Sequence, residues 1–144
     1  MLYLTLLTTG SLPKGSLQEL GQHFERQLSS YEKFDERIVA SHDALERVMA
    51  KQKETGDIIV VLEATGKTLS SESFAQKIRA WDEAGQHITV VLGGAKGLTD
   101  QTKSSADLLL SLSPMTTTHD LAHLFFLEQL YRAMTIVHGK TYHY

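Results

Sequence analysis

Two loops carry the residue types from which a small-molecule site is built. Gly93-Gly94-Ala95-Lys96-Gly97 follows the apolar run Ile88 to Leu92. Glycines at a strand end admit positive φ and let the backbone approach a ligand closely. The stretch Ser111 to His119 follows a second apolar run, Leu108 to Leu112, and brings the hydroxyls of Ser111, Ser113, Thr116, Thr117 and Thr118. Loops of this kind at strand ends form the usual cleft of an open α/β sheet, which places the chemistry in the carboxyl-terminal third. Each loop also has a plainer reading. The glycine loop matches neither the Walker nor the dinucleotide fingerprint and can serve as an ordinary turn. Thr117 or Thr118 is a suitable N-cap for the helix that follows, which explains one hydroxyl and leaves the run unexplained.

The titratable groups nearby are read the same way. Of the chain's 7 histidines, His119 and His123 stand four apart, a spacing that sets two metal ligands on one helix face. No accompanying glutamate completes a zincin motif, so no metal is expected. Glu128 and Arg132 have the spacing of an i,i+4 ion pair. Lys51-Gln52-Lys53 reads as a solvated helix end. Taken alone, His138 and the terminal Tyr142-His143-Tyr144 read as exposed residues and a mobile tail.

Positioning these loops requires alternating elements. Leu2 to Thr8 reads as a strand. Ser16 to Tyr31 reads as a helix, with Leu17, Leu20, Phe24, Leu28 and Tyr31 inward and a capping box from Ser16 and Glu19. Arg37 to Ala40 is a short strand candidate. Asp43 to Lys53 is helical, with Gly56 beyond its end. Ile58 to Leu62 and Ile88 to Leu92 are continuous β-branched runs, as expected of strands covered on both faces. Phe74 to Ala84 is a helix between them, and Leu98 to Ser105 a short one. After the strand Leu108 to Leu112 comes the longest helix, Leu121 to Val137, with Leu121, Leu124, Phe125, Tyr131 and Met134 on its apolar side. This alternation predicts an α/β fold with a mostly parallel sheet and helices on both faces. There is no repeat, low-complexity segment or linker, and the two prolines, Pro13 and Pro114, fall outside the elements.

The 144 residues suit a single domain, residues 1–144. Hydrophobic residues make up 42% and charged residues 22%, ordinary values for a soluble protein. With no cysteine, a disulfide or thiolate zinc site is excluded and a cytoplasmic address is the default. The apolar opening, Met1 to Leu7, has no basic leader and reads as a first strand instead of a signal peptide. No apolar run approaches the roughly 18 residues of a membrane span. A net charge of −3 and a pI near 6.1 argue against a free-standing binder of naked nucleic acid.

Taken together, five separated segments resemble the RlmH group of ribosomal RNA methyltransferases, within the SPOUT superfamily. They are Gly66-Lys67-Thr68-Leu69-Ser70-Ser71-Glu72-Ser73-Phe74-Ala75, the glycine turn Gly93-Gly94-Ala95-x-Gly97-Leu98, the loop Ser111-Leu112-Ser113-x-Met115-Thr116-x-x-His119, the helix segment Leu127-Glu128-Gln129-Leu130-Tyr131-Arg132-Ala133, and the tail Tyr142-His143. The resemblance runs from about Ile58 to the end, and residues 1–57 share only the strand–helix pattern.

The resemblance implies a SPOUT-like fold whose carboxyl-terminal segment threads a trefoil knot, and a homodimer with its sites at the subunit interface. It implies S-adenosylmethionine held by Leu62, Gly93, Leu112, Ser113, Pro114, Met115, Thr116 and Thr117. The reaction implied is methyl transfer to N(3) of a pseudouridine in large-subunit rRNA of the assembled ribosome. His143, Tyr142 and His119 are the candidates for removing the N(3) proton or stabilising the anion it leaves. The chain departs from the family pattern at Thr118, where proline is usual, at His123, where arginine is usual, and at Tyr144, where a basic residue is usual. These departures motivate an alternative: a divergent, catalytically weak relative that binds ribosomes or S-adenosylmethionine. A generic flavodoxin-like nucleotide binder is a third reading.

Overall fold

The computed structural model describes residues 1–93 and 97–142. Its elements in order are β1 (Leu2–Thr8), α1 (Ser16–Leu28), β2 (Glu32–Ile38), α2 (His42–Glu54), β3 (Ile58–Thr68), α3 (Ser71–Glu83), β4 (His87–Leu92), α4 (Asp100–Ser104), β5 (Leu108–Ser111) and α5 (His119–Val137). The strands form one sheet in the order β2-β1-β4-β3-β5. Every pairing between them is parallel, so the carboxyl ends of all the strands lie along one edge.

The two faces of the sheet are covered separately. Leu2, Leu4 and Leu6 of β1 join Val60, Ile88, Val90 and Leu110 under Leu28 of α1, Phe74 and Ile78 of α3, and Phe126 and Leu130 of α5. On the other face Leu7, Ile59, Val61 and Val91 meet Leu45 and Met49 of α2 and Leu98 before α4. This double covering is why the central strands are unbroken apolar runs.

Several expectations are corrected. The second strand is Glu32–Ile38, not Arg37 to Ala40. It is an edge strand bonded only to β1, where charged residues are tolerated and protect the edge, so no apolar run marks it. The first helix ends at Leu28, and its N-cap is Gly15 at φ 119° with no side-chain cap hydrogen bond, so the Ser16–Glu19 box does not form. Leu20 is exposed, and Gly21 takes the buried position. On α5 the buried face is His123, Phe126, Leu127, Leu130, Ala133 and Met134, while Leu121 and Phe125 are 50% and 43% exposed.

The strand β3 also runs on to Thr68, past the expected end at Leu62. Both Leu62 and Lys67 pair with Leu110, so residues 63–66 leave the ladder and rejoin it. The excursion is fixed by close backbone approach. A Cβ at Gly66 would lie 2.6 Å from the Leu109 carbonyl oxygen and 3.0 Å from that of Glu63. Only glycine fits there, which explains its place in the sequence.

Candidate functional site

A cavity of about 850 Å³ opens where β3, β4 and β5 end. Its floor is Val61 to Ala64 and Leu92-Gly93, one wall is Gly97 and Leu98, and the opposite wall is Leu112, Ser113 and Met115 to His119, continued by Leu121, Ala122 and Phe125 of α5. The volume lies in the range of small-molecule sites, about 300–1,000 Å³. Parallel strands create the opening because successive connections leave the sheet on opposite faces.

The hydroxyl-rich loop divides its work. Ser111 Oγ donates to the Ala64 carbonyl at 2.9 Å and ties β5 to the 63–66 excursion. The Met115 amide donates to Ser113 Oγ at 3.1 Å, closing a turn. Thr118 caps α5, its Oγ1 accepting from the Leu121 amide at 3.3 Å. Thr116 and Thr117 remain exposed on the cavity wall. On the floor, Glu63 accepts from Thr65 Oγ1 at 3.2 Å and pairs with Lys103 of α4 at 3.3 Å.

His119 stands on this wall at the first turn of α5. Its Nε2 lies 2.8 Å from Oγ1 of Thr8, the buried last residue of β1. The Thr8 hydroxyl also lies 3.2 Å from the Gly10 carbonyl, and whether it donates to or accepts from Nε2 follows the tautomer of the ring. Nδ1 is 3.5 Å from Asp120 Oδ1.

His123, one turn on, has no exposed surface, and neither ring nitrogen has a hydrogen-bond partner. Burial, and then the charge of His119, push its pKa down to about 4, so the ring is neutral near pH 7. The two rings cross at 89° with centroids 6.3 Å apart. Among the described residues no group of three or more His, Cys, Asp or Glu is arranged to hold a metal.

Of the residues expected at the cofactor, Leu62, Gly93, Leu112, Ser113, Met115, Thr116 and Thr117 line the cavity; Pro114 is exposed and does not. Of the expected catalytic residues, His119 lines it. Tyr142 does not: it lies on the flank of α5, its hydroxyl donating to Glu128 at 3.1 Å, beneath the Arg132 guanidinium and edge-on to Tyr131. Burial and the Glu128 carboxylate raise its pKa. Arg132 and Glu128 form the expected i,i+4 pair. His143 and Tyr144, and the loop residues Gly94 to Lys96, lie outside the described residues. Sequence reasoning passed over Thr8, Glu63, Leu98, Ala122 and Phe125. Glu63 carried a signal, being the first charged residue after a buried parallel strand; Thr8 carried none, since its partner is 111 residues away.

A family model described as predicted SPOUT methyltransferase matches residues 2–143. A ribosomal RNA large subunit methyltransferase H from Acetivibrio thermocellus is 33% identical over 156 aligned positions, covering 97% of this chain and 98% of that protein. The protein of the same name from Syntrophotalea carbinolica is 37% identical, with 96% of each chain covered. Among solved structures, the SpoU methyltransferase AviRb from Streptomyces viridochromogenes, crystallised with AdoMet, superposes with a TM-score of 0.50 at 12% identity. It covers 96% of this chain and 59% of that one, a likeness of fold.

Proposed function

We propose, from the premise that this chain belongs to the SPOUT methyltransferase family and within it to the large subunit methyltransferase H relatives, that it methylates large-subunit ribosomal RNA using S-adenosylmethionine. The observation that carries the reading is the cavity itself. Its volume, its largely aliphatic floor and its two rim hydroxyls suit a nucleoside carrying an aliphatic tail. Leu62, Leu92, Leu98 and Leu112 would hold the purine, and Gly93, Thr116 and Thr117 the polar edges. S-adenosylmethionine supplies a methyl group on a positively charged sulfur. The chain's residues orient the acceptor, keep water from the sulfonium, and take up the proton that the acceptor nitrogen loses.

His119 is the proton acceptor this geometry supports, because it lines the cavity while one of its ring nitrogens is anchored on Thr8 at 2.8 Å. His143 and Tyr142 stay in the reading through the family resemblance, as tail residues that complete the acceptor site. The finer acceptor is N(3) of a pseudouridine on the assembled ribosome, which places the protein in the cytoplasm. No helix among the described residues is long and apolar enough to cross a membrane.

A homodimer belongs to the same reading. Met115, Leu121 and Phe125 are 80%, 50% and 43% exposed beside the cavity, an apolar margin that a second copy would cover while closing the site. The trefoil knot is likewise proposed, supported by the convergence of the loops after β3, β4 and β5 on one cavity.

Two measurements test the reading. Calorimetry with S-adenosylmethionine is expected to show saturable binding. Mass spectrometry of rRNA from a deletion strain is expected to show one methyl group fewer on a large-subunit pseudouridine. Unchanged rRNA with intact binding would replace the enzyme by a catalytically silent binding module.

A further inference from the structure

The cavity lining is nearly free of charged side chains. Among the described residues that line it, Glu63 is the one acidic residue, and no lysine or arginine joins it. Glu63 follows Leu62 directly and opens the 63–66 excursion. Both carboxylate oxygens are engaged: Oε1 accepts from the Thr65 hydroxyl at 3.2 Å, and Oε2 lies 3.3 Å from Lys103 Nζ. Lys103 does not line the cavity. The ion pair therefore presents its negative member to a ligand and keeps its positive member outside. The two side chains are only 22% and 26% exposed, so water screens them in part.

This arrangement suits one kind of cation. An ammonium group seeks an oxygen free to accept its protons, and here it would compete with Lys103 and Thr65 for the carboxylate. A sulfonium has no proton to donate and is stabilised by the field alone. That field acts at a distance and is strongest beside aliphatic walls such as Leu62, Leu92 and Leu112. Methyl transfer then changes the charge in the cavity. The methyl carbon passes from sulfur to the acceptor nitrogen, the electron pair of the broken S–C bond stays on sulfur, and the nitrogen's proton goes to the base. The sulfur left behind is a neutral thioether.

We propose that Glu63 is the specificity-determining countercharge of the cavity: it favours the sulfonium of S-adenosylmethionine over the thioether of S-adenosylhomocysteine, and so helps the spent cofactor leave. The proposal rests on the reading of the cavity as the S-adenosylmethionine site. Lys103 sets the strength of the preference, because its ammonium offsets part of the carboxylate's field. With that offset and the partial exposure of both groups, the charge on Glu63 is expected to contribute about fivefold to the preference.

The test is calorimetry on the full-length protein with two probes, S-adenosylmethionine and S-adenosylhomocysteine. Glu63→Gln keeps the shape of the side chain and removes its charge. It is expected to raise the Kd for S-adenosylmethionine about fivefold more than the Kd for S-adenosylhomocysteine. Loosening of α4 through loss of the ion pair would weaken both probes alike, so the ratio of the two constants separates the charge from a structural role. Lys103→Gln leaves the carboxylate without its offset and should move that ratio the other way, by about twofold. A ratio unchanged in Glu63→Gln, or moved in the same direction by Lys103→Gln, overturns the proposal; if one variant fails to fold, the other decides. A parent protein that binds neither probe gives a different failure, which sinks the S-adenosylmethionine reading and this proposal with it.

Discussion

Replacing Gly66 with alanine tests whether the 63–66 excursion holds the cavity floor. The new Cβ would lie 2.6 Å from the Leu109 carbonyl oxygen, 2.8 Å from its carbon and 3.0 Å from the Glu63 oxygen. All three are backbone atoms, so no side chain can swing away. Reaching ordinary contact at about 3.4 Å requires β5 and the excursion to part by roughly 0.8 Å. Overpacking of this kind costs about 1–3 kcal/mol, and stretching the Ser111–Ala64 hydrogen bond adds about 1 kcal/mol. For a chain of this length, 2–4 kcal/mol corresponds to a fall in Tm of about 10 °C. The same movement displaces Leu62 and Leu112, so S-adenosylmethionine should bind more weakly by calorimetry. Gly93→Ala is the control, because its Cβ would meet nothing nearer than a Leu98 side-chain atom at 3.5 Å. A Gly66→Ala protein that melts within about 2 °C of the parent and binds S-adenosylmethionine as tightly would refute the reasoning.

Three further outcomes are expected. Glu32 is buried with neither carboxyl oxygen partnered, and burial pushes its pKa from 4.5 up to about 8. The folded chain therefore keeps a proton that the unfolded chain has lost between those values, and stability falls as pH rises from about 4.5 to 8. Glu32→Gln should flatten that slope and stabilise the protein at pH 8 by about 2–4 kcal/mol in urea unfolding; an unchanged slope would count against it. Gly93→Val, at a position that lines the cavity, should raise the Kd for S-adenosylmethionine by about tenfold or more, read by calorimetry. His119→Ala should lower turnover on ribosomes by about 10²-fold or more with S-adenosylmethionine affinity retained. His143→Ala, read from the family resemblance, should likewise lower turnover without abolishing binding.

Composition and periodicity were enough for the alternation of strands and helices, the parallel sheet and the two loops that frame the cavity. Strands buried on both faces must be apolar throughout, and ligand loops need glycine or hydroxyls, so each leaves a local mark. The family motifs marked most of the cavity residues for the same reason. The edge strand Glu32–Ile38 left no such mark, because one exposed side lets its residues be charged. Gly66 stood out in the sequence only through the family segment it opens; the physical reason for it came with Leu109 against it. The meeting of His119 with Thr8, and of His123 with Glu36, joins residues far apart in the chain. The sheet order β2-β1-β4-β3-β5 and the way α5 crosses it decide those contacts. Periodicity reports which side of an element is buried; which other element lies there is settled by packing in three dimensions.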